Sequence, residues 1–103
     1  MDDIVLIGLN HKTASVDVRE CIAFTPDETE RALAQLRGHP AISESVLFST
    51  CNRIELLMTA TQGQAAIRAA KRFFSDFKNV PLSEFEDTLY EYTGDEAVRH
   101  TFQ

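Results

Sequence analysis

The chain has 103 residues, of which 44% are hydrophobic and 7 are phenylalanine. This length and apolar content are typical of one globular domain with a single core, and they exclude a disordered chain. The net charge of −6 argues against sequence-independent binding to nucleic acid, which needs a clustered excess of lysine and arginine. The acidic start, without a basic and apolar leader, and the absence of a membrane-length apolar run favour a cytoplasmic protein.

The first part of the chain predicts one strand followed by two helices. A continuous apolar run at residues 4–9 has the length of a central strand that is covered on both faces. Ser15 is placed to cap a short helix from residue 16 to about residue 23. Thr25, followed by a proline and with a glutamate three residues on, predicts the start of a second helix, which ends at Gly38.

The second part predicts two strands, a long helix, a short strand and a final helix. Apolar runs at residues 46–48 and 54–58 indicate two strands with polar residues between them. Residues 89–92 alternate like a half-buried strand, and residues 93–96 have the sequence of a capping box. The last helix then carries His100 and Phe102. The long helix is indicated by apolar residues at helical spacing, namely Ala66, Ile67, Ala70, Phe73, Phe74 and Phe77.

The order strand, helix, strand, strand, helix, strand indicates the fold class. It is the split βαβ arrangement of an α+β, ferredoxin-like sandwich, in which an antiparallel sheet has helices on one face. Residues 49–53 then lie at the tip or edge of the central hairpin. Because this fold hosts many functions, the function has to be argued from particular residues.

Cys51 is the candidate nucleophile, because it lies at a strand end between Thr50 and Asn52 and two residues before Arg53. A partly exposed thiol near a positive charge suits nucleophilic catalysis. The alternative is a packing role, since free cysteines are often buried. Cys21 is expected in the core, and the spacing of the two cysteines signals neither a disulfide framework nor a zinc knuckle.

The histidines and the loop after the first strand are further candidates. Asn10 and His11 leave that strand and are placed to line the same cleft as Cys51, although a loop histidine is more often solvent-exposed than functional. His39, before a proline in a turn, is expected in solvent. The histidines and cysteines have no metal-ligand spacing, so no metal site is predicted.

Three separated motifs resemble the amino-terminal catalytic domain of glutamyl-tRNA reductase. The first is Gly-Leu-Asn-His-Lys-Thr-Ala at residues 8–14, followed by Val-Asp-Val-Arg-Glu at residues 16–20. The second is Ser-Thr-Cys-Asn-Arg at residues 49–53 with Glu55, and the third is Glu-Ala-Val-Arg-His at residues 96–100. The resemblance covers essentially the whole chain. Three positions depart from the family pattern without touching the residues assigned to the chemistry: Ser15, Ile54 and Leu57.

The resemblance implies NADPH-dependent reduction of glutamyl-tRNA(Glu) to glutamate-1-semialdehyde, the first step toward 5-aminolevulinate, tetrapyrroles and haem. Cys51 is then the catalytic nucleophile that forms a thioester, and His100 is the general acid and base beside it. A thiolate attacks esters near neutral pH, and a thioester remains electrophilic enough to accept hydride. For Arg53 the alternative to substrate binding is a structural salt bridge to Glu55. The substrate-binding residues expected in the cleft are Thr50, Arg53, Asn10 and His11.

The domain organisation of the family bears on cofactor and partners. No Gly-x-Gly-x-x-Gly sequence follows a strand, so we expect residues 1–103 to be the catalytic domain alone, without the NADPH-binding and dimerisation domains. Such a domain is not expected to complete the reduction. The partners that the resemblance implies are glutamyl-tRNA(Glu), a second copy in a homodimer formed through the missing carboxyl-terminal domain, and glutamate-1-semialdehyde aminomutase, with no membrane.

Two other classes of function remain open on the residues alone. One is a cofactor-free cysteine esterase or acyltransferase, which would use Cys51 and His100 and turn over without NADPH. The other is a non-catalytic ferredoxin-like ligand-binding module, in which Cys51 would be buried and unreactive.

Overall fold

A computed structural model describes residues 2–101, and Phe102 of the predicted last helix lies outside this range. No helix within the described range has the length and hydropathy of a membrane span. The elements in chain order are β1 (Asp3–Asn10), α1 (Val16–Ile22), α2 (Pro26–Arg37), β2 (Glu44–Ser49), β3 (Arg53–Ala60), α3 (Gly63–Lys78), two 3-10 turns (Leu82–Glu84 and Glu86–Thr88), β4 (Tyr90–Thr93) and α4 (Asp95–Thr101).

The four strands form one sheet in the order β2-β3-β1-β4, and every neighbouring pair is antiparallel. In the central strand β1, Asn10 pairs with Arg53 of β3, and Gly8 pairs with Tyr90 of β4. This strand order, with helices between β1 and β2 and between β3 and β4, confirms the predicted α+β ferredoxin-like fold. It also places residues 50–52 in the turn between β2 and β3.

Local signals begin and end the first two helices at the predicted residues. The Ser15 side chain accepts a hydrogen bond from the backbone N–H of Val18 at the start of α1. At α2, Thr25 accepts from the backbone N–H of Glu28 while the Glu28 carboxylate accepts from the Thr25 N–H, which completes a capping box. The helix ends at Gly38, whose N–H donates to the carbonyl oxygens of Gln35 and Leu36 in the last turn.

The main core lies between one face of the sheet and helices α1, α2 and α3. Successive residues of a strand point to opposite faces, so Val5, Ile7 and Leu9 of β1 share this face. All three are fully buried, and Leu36 of α2 and Phe74 of α3 pack into the same cluster. Burial of each such side chain contributes about 1.5–3 kcal/mol relative to exposure, so this layer supplies most of the driving force for folding.

Helix α4 lies on the opposite face of the sheet, which differs from the prediction of helices on one face only. Val98 and Thr101 of α4 border a small cavity together with Ile4, Val46 and Leu57, which belong to that second face. Between β4 and α4 the chain turns toward the second face of the sheet at Gly94, whose φ of 61° lies in the left-handed region that glycine adopts readily. The predicted capping residue Thr93 instead remains in β4.

The capping box of α2 predicts a particular pH dependence. The backbone N–H of Thr25, together with Lys78 at 3.0 Å, lowers the pKa of Glu28 from 4.5 to about 2. Because the folded-state pKa lies below the unfolded value, Glu28 stabilises the fold above about pH 4.5, and this contribution is lost as the pH falls toward 2. The difference in unfolding free energy between wild type and Glu28→Gln, from urea titrations, should therefore be larger at about pH 6 than at about pH 2.5.

The matched control for this prediction is Asp27→Asn, which removes an exposed carboxylate from the same first turn as the half-buried Glu28. In this variant Glu28 keeps its contacts with Thr25 and Lys78, so the pH dependence that those contacts cause should remain. An equal destabilisation by Glu28→Gln at both pH values would show that the carboxylate charge of Glu28 is not involved.

Candidate active site

The turn between β2 and β3 presents Cys51 to solvent. Thr50 closes this turn: its N–H donates to the Arg53 carbonyl at 2.8 Å, and its Oγ1 accepts from the N–H groups of Asn52 and Arg53 at 3.3 and 3.1 Å. The backbone on either side of Cys51 is thereby held by hydrogen bonds while the thiol stays accessible. The exposed position contradicts the packing role that was the alternative for Cys51.

The loop after β1 lies at the same end of the sheet, because Asn10 is paired with Arg53 across the two strands. The side-chain oxygen of Asn10 accepts from the N–H groups of Lys12 and Thr13 at 2.9 and 3.2 Å and so shapes this loop. His11 is exposed in it. The structure therefore brings Asn10 and His11 to the end of the sheet where the Cys51 turn lies.

Glu55 is the only buried charged or polar residue among the described residues, with 2% of its surface exposed. It follows Arg53 by two positions on β3, so the two side chains share the second face of the sheet. Its Oε2 accepts the hydroxyl proton of Tyr90 and lies 3.0 Å from His100 Nε2, and its Oε1 lies 3.5 Å from Arg53 Nε. One carboxylate thus connects a predicted substrate-binding residue with the predicted general base.

The His100 imidazole is enclosed by two tyrosine rings of β4. Its centroid lies 4.9 Å from that of Tyr90 and 4.6 Å from that of Tyr92, the latter in a stacked arrangement with 27° between the planes. Burial, followed by the hydrogen bond to Glu55, raises the pKa of Tyr90 well above its ordinary value, so its hydroxyl remains a donor at neutral pH. These contacts hold the ring in one place near the end of α4.

Gly8 makes room for the Glu55 side chain on the neighbouring strand. A Cβ at this position would lie 2.4 Å from the carbonyl oxygen of Ile54 and 2.8 Å from Cγ of Glu55. Real Cβ atoms do not approach other atoms this closely, so any other residue would displace β3 or Glu55. The glycine of the first sequence motif is therefore explained by the site.

Arg53 makes the salt bridge to Glu55 that was the alternative to substrate binding. The ion pair joins Nε to Oε1 at 3.5 Å, and 36% of the Arg53 side chain is exposed. Arg53 pairs with no other carboxylate within residues 2–101, and its planar guanidinium fork is suited to a carboxylate. The salt bridge therefore orients Arg53 and leaves its outer edge available for a ligand.

Cys21 was predicted in the core and is exposed, so this prediction is wrong. On α1 the core is contacted by Val18 and Ile22, which are four residues apart and lie on one side of the helix, whereas Cys21 lies beside that face. His39 is exposed as predicted, and its Nδ1 accepts from the Ala41 N–H. Within the described range, no three histidine, cysteine or acidic side chains form a group that could hold a metal ion.

Three parts of the site were not assigned from the sequence: the role of Glu55, and the two tyrosines Tyr90 and Tyr92. For Glu55 the sequence offers one signal: a glutamate lies inside the apolar run of β3, and a glycine, Gly8, lies inside the apolar run of β1. Its meaning depends on the strand register, which pairs Gly8 with Glu55 on one side and with Tyr90 on the other.

The fold and the site define a class: a ferredoxin-like domain that presents an exposed cysteine on a hairpin and a buried carboxylate against a histidine. The family model described as "Glutamyl-tRNAGlu reductase, N-terminal domain" matches residues 7–103. The chain belongs to this family, which confirms the resemblance found in the sequence motifs.

Individual relatives agree with this assignment. The chain is 50% identical over 101 residues to glutamyl-tRNA reductase of Desulfatibacillum aliphaticivorans and 43% identical over 101 residues to that of Citrifermentans bemidjiense. Each match covers 98% of this chain and 23% of the relative. The solved structure of glutamyl-tRNA reductase from Methanopyrus kandleri matches with a TM-score of 0.63 and 29% identity, over 99% of this chain and 22% of that one. The chain therefore spans less than a quarter of the length of these relatives.

Proposed function

We propose that this domain supplies the nucleophile and the glutamate-binding groups for NADPH-dependent reduction of glutamyl-tRNA(Glu) to glutamate-1-semialdehyde, in tetrapyrrole biosynthesis. The observation that carries the proposal is an exposed Cys51, in a hydrogen-bonded turn two residues before Arg53, whose partner Glu55 also contacts His100. Membership of the reductase family supports the choice of substrate.

The first chemical step is acyl transfer to Cys51. The sulfur forms a bond to the ester carbonyl carbon of the glutamyl group, and the thiol proton passes to His100. The bond between that carbon and the terminal ribose oxygen of the tRNA breaks, and the ribose oxygen takes the proton from His100. The products are free tRNA and a glutamyl thioester on Cys51, with no change of oxidation state in this step.

The glutamyl group carries a side-chain carboxylate that needs a cationic partner. Arg53 is suited to this role, because it is partly exposed beside Glu55 and a guanidinium can donate two parallel hydrogen bonds to a carboxylate. Thr50, Asn10 and His11 lie at the same end of the sheet and complete the proposed binding cleft.

Reduction of the thioester needs NADPH, which supplies hydride when bound. The described residues contain no glycine-rich turn from a strand into a helix of the kind that holds a dinucleotide, so they do not fit this cofactor and no reduction step is assigned to them. A homodimeric full-length protein, association with glutamate-1-semialdehyde aminomutase and a cytoplasmic location are proposals that rest on the family alone.

The proposal is tested by intact-protein mass spectrometry after the domain is mixed with glutamyl-tRNA(Glu). We expect a mass increase of one glutamyl group that hydroxylamine removes, because hydroxylamine cleaves thioesters. Free glutamate is the control and should give no adduct, since a carboxylate is not an acylating agent. A folded domain whose thiol reacts with iodoacetamide but forms no adduct would contradict the proposal for this domain.

The same mixture distinguishes the cysteine esterase alternative. That alternative predicts continuous release of free glutamate without NADPH, with each domain turning over many times. The proposed reductase step predicts instead that acylation stops at about one glutamyl group per Cys51, followed by slow hydrolysis.

A further inference from the structure

The two ring nitrogens of His100 have different surroundings. Nε2 lies 3.0 Å from Oε2 of the buried Glu55 carboxylate. Nδ1 has no hydrogen-bond partner within residues 2–101. A neutral imidazole carries its proton on one nitrogen and accepts on the other, so the contact to Glu55 decides which nitrogen can act as a base.

The contacts of Glu55 favour a proton on Nε2. An ionised carboxylate only accepts hydrogen bonds, and the Glu55 carboxylate is paired with the Arg53 guanidinium, whose Nε lies 3.5 Å from Oε1. Tyr90 donates its hydroxyl proton to Oε2, the oxygen that also contacts His100. Because Oε2 of a carboxylate can only accept, its contact with His100 also needs a donor, and this donor is the Nε2–H group.

We infer that Glu55 and Tyr90 are positioning residues that hold neutral His100 with its proton on Nε2, so that Nδ1 is the nitrogen that exchanges protons at the site. The role of Nδ1 in acyl transfer rests on the function proposed above, whereas the position of the ring proton does not. In that transfer Nδ1 takes the proton of the Cys51 thiol as the sulfur–carbon bond forms. It returns this proton to the ribose oxygen as the carbon–oxygen bond breaks.

The groups around the ring come from three elements. β3 contributes Glu55 and, through it, Arg53, and β4 contributes the rings of Tyr90 and Tyr92. On its own helix, Glu96 and Arg99 line an open groove of about 330 Å³ together with Tyr92 and His100. The imidazole thus contacts Glu55 and also borders this groove.

The test is side-chain nitrogen NMR of the ¹⁵N-labelled domain above the pH at which the ring is charged. Long-range proton–nitrogen correlations identify the protonated ring nitrogen, and His100→Asn assigns the signal. His39 is an internal reference, because its Nδ1 accepts from a backbone N–H and its proton must therefore be on Nε2. We expect His100 to show the same Nε2–H form, and a predominant Nδ1–H form would overturn the inference.

Variants then test the two positioning residues. Glu55→Gln replaces an acceptor-only group by an amide that can also donate, so His100 should become a mixture of the two forms. Tyr90→Phe keeps the ring and removes the hydroxyl, and should also weaken the preference. Tyr92→Phe is the matched control: Tyr92 stacks on His100, and its hydroxyl has no hydrogen bond to Glu55. An unchanged Nε2–H form in Glu55→Gln would contradict the role of Glu55.

The rate of glutamyl transfer to Cys51 separates this inference from the proposed function. Glu55→Gln should slow the transfer by about twofold or more, since only part of the population keeps a free Nδ1. An Nδ1–H form in a domain that still acylates Cys51 would overturn the inference and leave the proposed function standing. A folded domain that shows the Nε2–H form but never forms the adduct would contradict the proposed function and leave the inference standing. If Glu55→Gln does not fold, the wild type and Tyr90→Phe still decide the position of the proton.

Discussion

Replacing Cys51 by serine is expected to abolish the hydroxylamine-sensitive glutamyl adduct on this domain. Serine is nearly the same size, and the side chain is exposed in a turn that is held by backbone and Thr50 hydrogen bonds, so the fold should not change. A serine hydroxyl is a far weaker nucleophile at neutral pH than a thiol with access to its thiolate form. The rate of adduct formation should fall on the order of a thousandfold or more.

Cys21→Ser provides the matched control, because Cys21 is the second exposed free cysteine of the domain. This variant should form the adduct at the wild-type rate. Mass spectrometry at a series of times gives both rates, and urea titration verifies that both variants are folded. An adduct that survives in Cys51→Ser and disappears in Cys21→Ser would place the nucleophile on α1 and refute the proposed site.

Replacing Gly8 by alanine is expected to destabilise the domain by about 3 kcal/mol. The added Cβ would meet the Ile54 carbonyl at 2.4 Å and the Glu55 side chain at 2.8 Å, in the central strand of the sheet. A backbone carbonyl that is held in a strand ladder cannot move away without loss of hydrogen bonds. The free energy of unfolding from urea titration measures this effect, and displacement of Glu55 should also disturb His100.

Gly38→Ala is the control for the loss of a glycine. Gly38 follows α2 with φ −84°, and an added Cβ would lie 3.7 Å from its nearest neighbour, which is ordinary contact. We expect a change in stability within about 1 kcal/mol. Equal effects at Gly8 and Gly38 would show that the close approach of β1 and β3 is not what requires glycine at residue 8.

The candidate site was predicted from the sequence in part. The turn at residues 50–52 follows from two apolar runs with polar residues between them, and Cys51 lies in it as predicted. The exposure of Cys21 was missed because α1 has only seven residues and two of its positions suffice to contact the core. Whether Cys51 and His100 are catalytic, and whether Thr50, Arg53, Asn10 and His11 bind substrate, stay predictions for the experiments above.

The sequence by itself determined the order and kinds of the elements, the two capped helices and the hairpin that carries Cys51. These features depend on residue periodicity and on hydrogen bonds between residues three or four apart, which are written in short segments. Only the tertiary structure decided that α4 crosses to the second face and that Glu55 meets Tyr90 and His100. Those partners lie 35 and 45 residues from Glu55, and they come together because antiparallel pairing aligns Gly8 with both Glu55 and Tyr90.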